Sequence, residues 1–225
     1  MYHKLGPRPR GVRLKGLYVS ASLFERQLRE LRAAGFQSAG PGELINGLGN
    51  TEKKIVLTFD DGFANVMRYG LEPLARHGFR AIEYLVPDCI GEFNKWDMAE
   101  GEVREPLMDD AQVKDWLAAG HEIGAHTLTH PRLSQVPLTQ AREEIFASKK
   151  KLEDRFGVAI RHFCYPYGDW NPAVRDLVQA AGYETACTCE PGVNTSATPP
   201  LELHRYMARY QSVSFKALKA RFGGG

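Results

Sequence analysis

A mainly parallel α/β fold, with helices packed outside the sheet, is the class this sequence predicts. Three observations carry the expectation. Short apolar runs alternate with amphipathic stretches through most of the 225 residues, as in successive βα units. Several amphipathic stretches stop at a glycine: Gly35, Gly78, Gly120 and Gly182. Glycine commonly ends a helix in this way. The run Ile55–Phe59 (IVLTF) is almost wholly apolar, as expected for a strand covered on both faces.

The elements follow in order. Ser22–Ala34 predicts a helix whose apolar face is Leu23, Phe24, Leu28 and Leu31. After the 55–59 strand, Asn65–His77 predicts a helix in spite of Gly70 and Pro73, and Phe79–Val86 a strand. Asp109–Ala119 and His121–Ala125 repeat the pair. Thr139–Phe156 is the longest helix, with Ile145, Phe146, Leu152 and Phe156 inward, and Arg161–Tyr165 the next strand. Pro172–Ala181 and Tyr183–Thr188 form another pair. A last strand is expected at Leu201–His204 and a last helix at Ser214–Phe222. A closed barrel and an open doubly wound sheet both fit this order. No GxGxxG or Walker segment follows a strand, which disfavours a nucleotide-binding fold. Gly91–Pro106 is the main long loop, and long loops in compact domains are often functional. Residues 1–225 read as one domain.

Composition narrows the function. A formal net charge of +2 without a basic stripe makes nucleic acid a poor partner. No apolar stretch approaches the ~18–20 residues that span a bilayer. The opening MYHKLGPRPRG is polar and proline-rich, unlike a secretion signal. A cytoplasmic location is therefore expected, although a trimmed chain of an exported protein would look the same. The four cysteines, Cys89, Cys164, Cys187 and Cys189, form no CxxC pair. Buried reduced thiols are expected rather than a disulfide framework or structural zinc. The oligomeric state is not legible.

Two segments carry the chemistry, TFDDG (58–62) and HTLTH (126–130). Asp60 and Asp61 follow an apolar strand, and Gly62 permits a sharp turn that brings both carboxylates to one place. Sites of parallel α/β folds gather at this end of the strands. Two carboxylates so close raise each other's pKa unless a cation intervenes. A metal on one resolves the conflict and leaves the other as a base. The bland reading is a solvated Asp-Asp-Gly turn. His126 and His130 also follow a strand; if the chain is helical there, the i, i+4 spacing puts both imidazoles on one face. The bland reading is one core and one surface histidine. Histidine with carboxylate suits Zn²⁺ best, with Co²⁺ or Ni²⁺ as substitutes.

With RHFCYPYG (161–168), these segments resemble the three leading motifs of the polysaccharide deacetylases, the NodB-homology group of carbohydrate esterase family 4. The motifs span most of the chain in the family's order. The resemblance implies a distorted (β/α) barrel and metal-dependent removal of N-acetyl groups from amino sugars or their polymers. It implies Asp60 as catalytic base, Asp61, His126 and His130 as metal ligands, and a backbone N–H at Tyr167 for the oxyanion. Many relatives carry Arg where Cys164 stands, paired with the base. Arg205, in LELHRY, is the expected replacement, ahead of Arg161. MYHKLG and LYVSASLFERQLRELRAAGF (17–36) resemble a circularly rearranged branch that includes poly-β-1,6-N-acetylglucosamine deacetylases. That likeness implies His3 as the general acid, with His204 the alternative and a frayed terminus the bland reading. Tyr167, Trp170 and Trp96 are the candidate sugar-binding residues. Asp97 is a further hydroxyl partner, and Asp169 and Asn171 are candidate helix caps. His121 is expected to be structural, and His77 and His162 to lie at the surface.

Two rival functions fit the same residues. One keeps fold and metal but acts as a deacylase or deformylase of a lipid- or nucleotide-linked sugar. The other is a carbohydrate-binding protein without catalysis.

Overall fold

A computed structural model describes residues 1–46 and 53–208. The expected helix at Ser214–Phe222 lies outside them. Nine strands occur among the described residues: β1 (Lys4–Leu5), β2 (Tyr18–Val19), β3 (Gln37–Ser38), β4 (Lys54–Ile55), β5 (Leu57–Asp61), β6 (Ala81–Leu85), β7 (Glu122–Ala125), β8 (His162–Cys164) and β9 (Thr185–Cys187). The helices are α1 (Ala21–Ala33), α2 (Pro41–Asn46), α3 (Asn65–His77), α4 (Asp110–Ala118), α5 (Leu138–Phe156) and α6 (Pro172–Ala180).

Local chemistry starts and stops these helices. The Ser20 hydroxyl caps α1 by accepting from Leu23 N–H, and Asn171 caps α6 from Val174 N–H ahead of Pro172. Asp109 and Gln112 form a reciprocal capping box on α4. Gly78 ends α3 in the left-handed region, which lacks a Cβ penalty for glycine. Pro73 sits inside α3 without ending it. Leu23, Phe24, Leu28 and Leu31 of α1 are buried as their spacing predicts.

Strands β5 to β9 form one parallel sheet in chain order. Its two edges are then joined by short backbone contacts. At the β5 edge, Tyr2 N–H donates to Thr58 O (2.8 Å) and Asp60 N–H donates to Tyr2 O (3.0 Å). At the β9 edge, Leu203 N–H donates to Ala186 O (2.8 Å) and Thr188 N–H to Leu203 O (2.9 Å). The Met1 nitrogen donates to Tyr206 O (2.9 Å), and Ala208 N–H returns a bond to Met1 O (2.9 Å). The hydrogen-bonded segments thus return upon themselves. The fold is a distorted (β/α) barrel, and the open-sheet alternative is set aside.

Strand alternation divides the interior from the outer layer. Ile82, Tyr84, Cys164, Cys187 and Leu203 cluster inside the barrel. Gly124 is glycine because a Cβ there would lie 2.6 Å from the Tyr84 ring and 2.7 Å from His162 O. The larger apolar cluster, with Phe24, Phe59, Trp116, Ile145 and Phe163, fills the layer between strands and helices.

Several boundaries differ from the sequence expectation. The 55–59 run breaks at Val56: β4 leaves to pair with β3, and β5 continues through Asp61. Asp60 and Asp61 therefore end a strand rather than follow one. The expected strand at 201–204 reduces to a single bridge between Leu203 and Cys187. His162 is buried, not at the surface. Its Nδ1 lies 2.9 Å from Thr185 Oγ1 and its Nε2 3.5 Å from Glu122. Phe163 beside it faces the outer core, whereas His162 shares the inward face of Cys164. Asp169 caps no helix; it accepts from the Ser134 N–H and hydroxyl at 2.8 and 2.7 Å. Of the cysteines, Cys89, Cys164 and Cys187 are buried and Cys189 is exposed; all four are free thiols. No helix among the described residues is long and apolar enough to cross a membrane.

Candidate active site

The carboxyl ends of β5, β7 and β8 bring Asp60, Asp61, His126, His130 and Cys164 together, all buried. His126 Nε2 and His130 Nε2 stand 3.4 and 3.3 Å from the same oxygen, Asp61 Oδ1. Two ligand atoms held tetrahedrally at zinc distances of ~2.0–2.1 Å stand ~3.3–3.4 Å apart. That is the spacing seen, and it is long for direct hydrogen bonds. His126 Nδ1 lies 2.7 Å from Cys164 O. A carbonyl only accepts, so Nδ1 carries the hydrogen and Nε2 presents its lone pair toward Asp61. The donor set Asp61, His126 and His130 therefore fits one divalent ion. The ligand atoms of a second grouping, Asp60 with His126 and Cys164, also lie within 4.8 Å of one another. It is a poor cation site because the Arg205 guanidinium donates to both Asp60 and Cys164.

The two histidines do not meet on a helix. Residues 126–130 form an irregular turn in which Thr127 and His130 have positive φ of 63° and 72°. Glu144 of α5 holds that turn from behind. Its Oε2 accepts from the N–H groups of Leu128 and Thr129, both at 2.8 Å, and its Oε1 accepts from the Thr129 hydroxyl at 2.6 Å. The His130 N–H donates to Thr127 Oγ1 (3.0 Å). Glu144 was not among the residues singled out from sequence. It looks like one more polar position on an amphipathic helix, and only the fold shows what it faces.

Strain concentrates here. Among the described residues the non-glycine positions with positive φ are Asp61, Thr127, His130 and Tyr167. Each such residue costs on the order of 1 kcal/mol or more, and such strain gathers at functional sites.

Asp60 sits beside this group. Arg205 Nη1 and Nη2 donate to its two oxygens at 2.7 and 2.9 Å. The remaining guanidinium hydrogens go to Thr188 O (2.9 Å), Thr58 Oγ1 (3.0 Å) and Cys164 Sγ (3.1 Å). Burial favours the neutral form of Asp60, but the charges of Arg205 and His3 outweigh it and hold the carboxyl below its usual range. Asp61 is likewise opposed by burial. Its contacts with His126 and His130 hold it well below the carboxylate range. Arg161 lies just before β8, at the opposite end from Cys164, exposed and near Glu184.

The other candidate residues separate clearly. His3 Nε2 is 3.9 Å from Asp60 Oδ2, and the flanking Tyr2 and Lys4 are buried, so this end of the chain is not frayed. Burial lowers the His3 pKa, partly offset by Asp61 and Asp60. His204 faces Glu190, 3.7 Å away, and shows no contact with Asp60. Tyr167 has φ 61° in the Pro166–Gly168 turn. The turn's own bonds, Gly168 N–H to Tyr165 O and Asp169 N–H to Pro166 O, leave the Tyr167 N–H out. The Tyr167 ring meets His130 edge-on at 4.7 Å, and Trp96 stacks on the same imidazole at 4.4 Å. Trp170 instead stacks on Tyr165 at 5.9 Å and meets no residue of the metal group. Asp97 is buried and accepts from Asn94 Nδ2 (2.9 Å). His121 is structural: its Nδ1 accepts the Ala81 N–H at 3.2 Å.

Residues 48–186, more than half the chain, match the family profile described as polysaccharide deacetylase. The chain belongs to the polysaccharide deacetylase family. Among curated relatives, the Bacillus subtilis protein YxkH, whose name assigns it to polysaccharide deacetylases, is 25% identical over 209 residues, 91% of this chain and 68% of its own. The peptidoglycan-N-acetylglucosamine deacetylase PgdA of Listeria monocytogenes is 25% identical over 173 residues, 76% of this chain. The aligned region covers only 32% of PgdA's length. The solved structure of IcaB from Ammonifex degensii superposes with a TM-score of 0.82 at 22% identity, covering 99% of this chain and 95% of that one. That likeness shows a shared fold.

Proposed function

We propose that this deacetylase-family protein hydrolyses the N-acetyl amide of an amino sugar or its polymer. The observation that carries the reading is the pair of adjacent aspartates in two environments. Asp61 faces two imidazole nitrogens, whereas Asp60 faces a guanidinium. Asp61, His126 and His130 would hold one divalent ion, Zn²⁺ fitting the donor set best and Co²⁺ or Ni²⁺ also suiting it. When bound, such an ion supplies Lewis-acid polarisation of the amide carbonyl and acidifies water.

Asp60 accepts the proton of the attacking water. Arg205 keeps it ionised and aims it, and a carboxylate has lone pairs to spare beyond the two the guanidinium occupies. His3, within reach of Asp60 and partly open to solvent, gives a proton to the leaving amine. The Tyr167 N–H, unused by any hydrogen bond among the described residues, would stabilise the oxyanion. Tyr167 and Trp96, which flank His130, would also bound the sugar ring, with Trp170 further out. The experiment is acetate release from N-acetylglucosamine oligomers with and without chelation. Release that chelation leaves unchanged would defeat the metal reading. Activity confined to a lipid- or nucleotide-linked sugar would move the substrate to the deacylase alternative. Tight glycan binding without any hydrolysis would favour the binding protein.

A further inference from the structure

Glu83 is a buried acid that the chemistry above does not use. It lies in the middle of β6, in an apolar run (AIEYLV), and is 0% exposed. In the parallel register it sits between Phe59 of β5 and Ile123 of β7. Its strand neighbours Ile82 and Tyr84 face the barrel interior, so Glu83 points into the apolar layer under the helices. Among the described residues no arginine, lysine or histidine pairs with it. Its single hydrogen bond is to Oε1, which accepts the Gly62 N–H at 3.0 Å, while Oε2 has no partner.

That one bond falls at a telling place. Asp61 and Gly62 are consecutive residues with φ of 81° and 82°. This left-handed pair turns the end of β5 so that Asp61 reaches His126 and His130 while Asp60 reaches Arg205. Glycine accepts such a φ freely; aspartate does so only when its surroundings enforce it. The Gly62 N–H would otherwise be a buried donor facing an apolar layer. An apolar side chain at position 83 would suit that layer better in every other respect.

We propose that Glu83 is a positioning residue for the metal group, its carboxyl fixing the Asp61–Gly62 turn through the Gly62 N–H. Burial pushes the Glu83 carboxyl well above the usual range, with Asp60 and Asp61 adding to the effect. Polar groups that orient a ligand from behind typically change metal affinity by about 10–100-fold when removed. The inference rests on the metal reading above, and its test separates the two.

The test is a comparison of Glu83→Gln and Glu83→Met in the full chain. Zinc affinity is read by competition with a chelating dye, the absorption spectrum of the Co²⁺ form is recorded, and thermal unfolding is followed without metal. Gln keeps an acceptor oxygen at this position. It should bind zinc within about threefold of the parent, with an unchanged Co²⁺ spectrum. Met keeps the volume but loses the acceptor, so its affinity should fall about 10–100-fold with an altered spectrum. A purely structural role would lower the unfolding temperature of the Met protein and leave affinity and spectrum alone; that outcome overturns the proposal. Loss of affinity in the Gln protein equal to that in the Met protein overturns it too, and the Gln result decides even if the Met protein does not fold. Failure of the parent itself to bind one zinc would sink the metal reading instead.

Discussion

Arg205 grips Asp60 through two hydrogen bonds of 2.7 and 2.9 Å, and every one of its five N–H donors is used. Asp60 comes from the fifth strand and Arg205 from the segment after Leu203, 145 residues later. The pair therefore forms only when the ends of the barrel meet. Lysine cannot reproduce a planar bidentate fork. Arg205→Lys should lower kcat/KM by about 100-fold or more. Arg205→Met should also cost roughly 3–5 kcal/mol of stability, because it leaves a buried charge unpaired. Steady-state kinetics and urea unfolding measure the two effects. Near-parental values in both would remove Arg205 from the account.

The same pair shows how far the sequence could be read. Asp60, Asp61, His126 and His130 stand in contiguous motifs, so local order suffices to find them. Arg205 and His3 lie at opposite ends of the chain. Finding them took a departure at Cys164 and a resemblance at the N-terminus, because no local pattern reports a contact made by barrel closure. Glu83 and Glu144 escaped altogether. A carboxylate that accepts backbone N–H groups leaves no periodic trace, and one in an apolar strand reads as noise. The condition attached to 126–130, that the chain be helical there, is not met because the Glu144 carboxylate, not an intrahelical ladder, satisfies that backbone.

The two candidate acids differ in what they face, His3 toward Asp60 and His204 toward Glu190. His3→Gln should reduce kcat by at least about 100-fold with little change in KM. His204→Gln should stay within about threefold of the parent in both constants. The reverse pattern would hand the acid role to His204.

Metal removal has a thermal signature as well as a kinetic one. A ligand that binds only the folded chain stabilises it by about 4 kcal/mol at a thousand times its Kd. Chelation should therefore lower Tm by several degrees and abolish acetate release, and added zinc should restore both. An unchanged Tm on verified metal loss would argue that Asp61, His126 and His130 do not hold the ion.

His121 links the bottom of the barrel to pH. Burial, with the Arg80 charge behind it, lowers its pKa from 6.5 to about 4. Below pH 6.5 the unfolded chain takes up a proton that the folded chain refuses until about pH 4. Stability contributed by the neutral imidazole is thus present above 6.5 and lost as pH falls through that window, by up to roughly 3 kcal/mol. Asparagine can still accept the Ala81 N–H but does not titrate. Urea unfolding of His121→Asn should show a shallower loss of stability from pH 6.5 to 4 than the parent. Parallel curves would exclude His121 as the titrating group.

The division of labour between neighbouring aspartates is the centre of the account, and Asp60→Asn tests it most directly. Zinc content and acetate release are measured on the same sample, with Asp61→Asn alongside. The account predicts one zinc per Asp60→Asn chain with acetate release reduced by about a thousandfold or more, and loss of zinc in Asp61→Asn. Acetate release near the parental rate from zinc-loaded Asp60→Asn would contradict it.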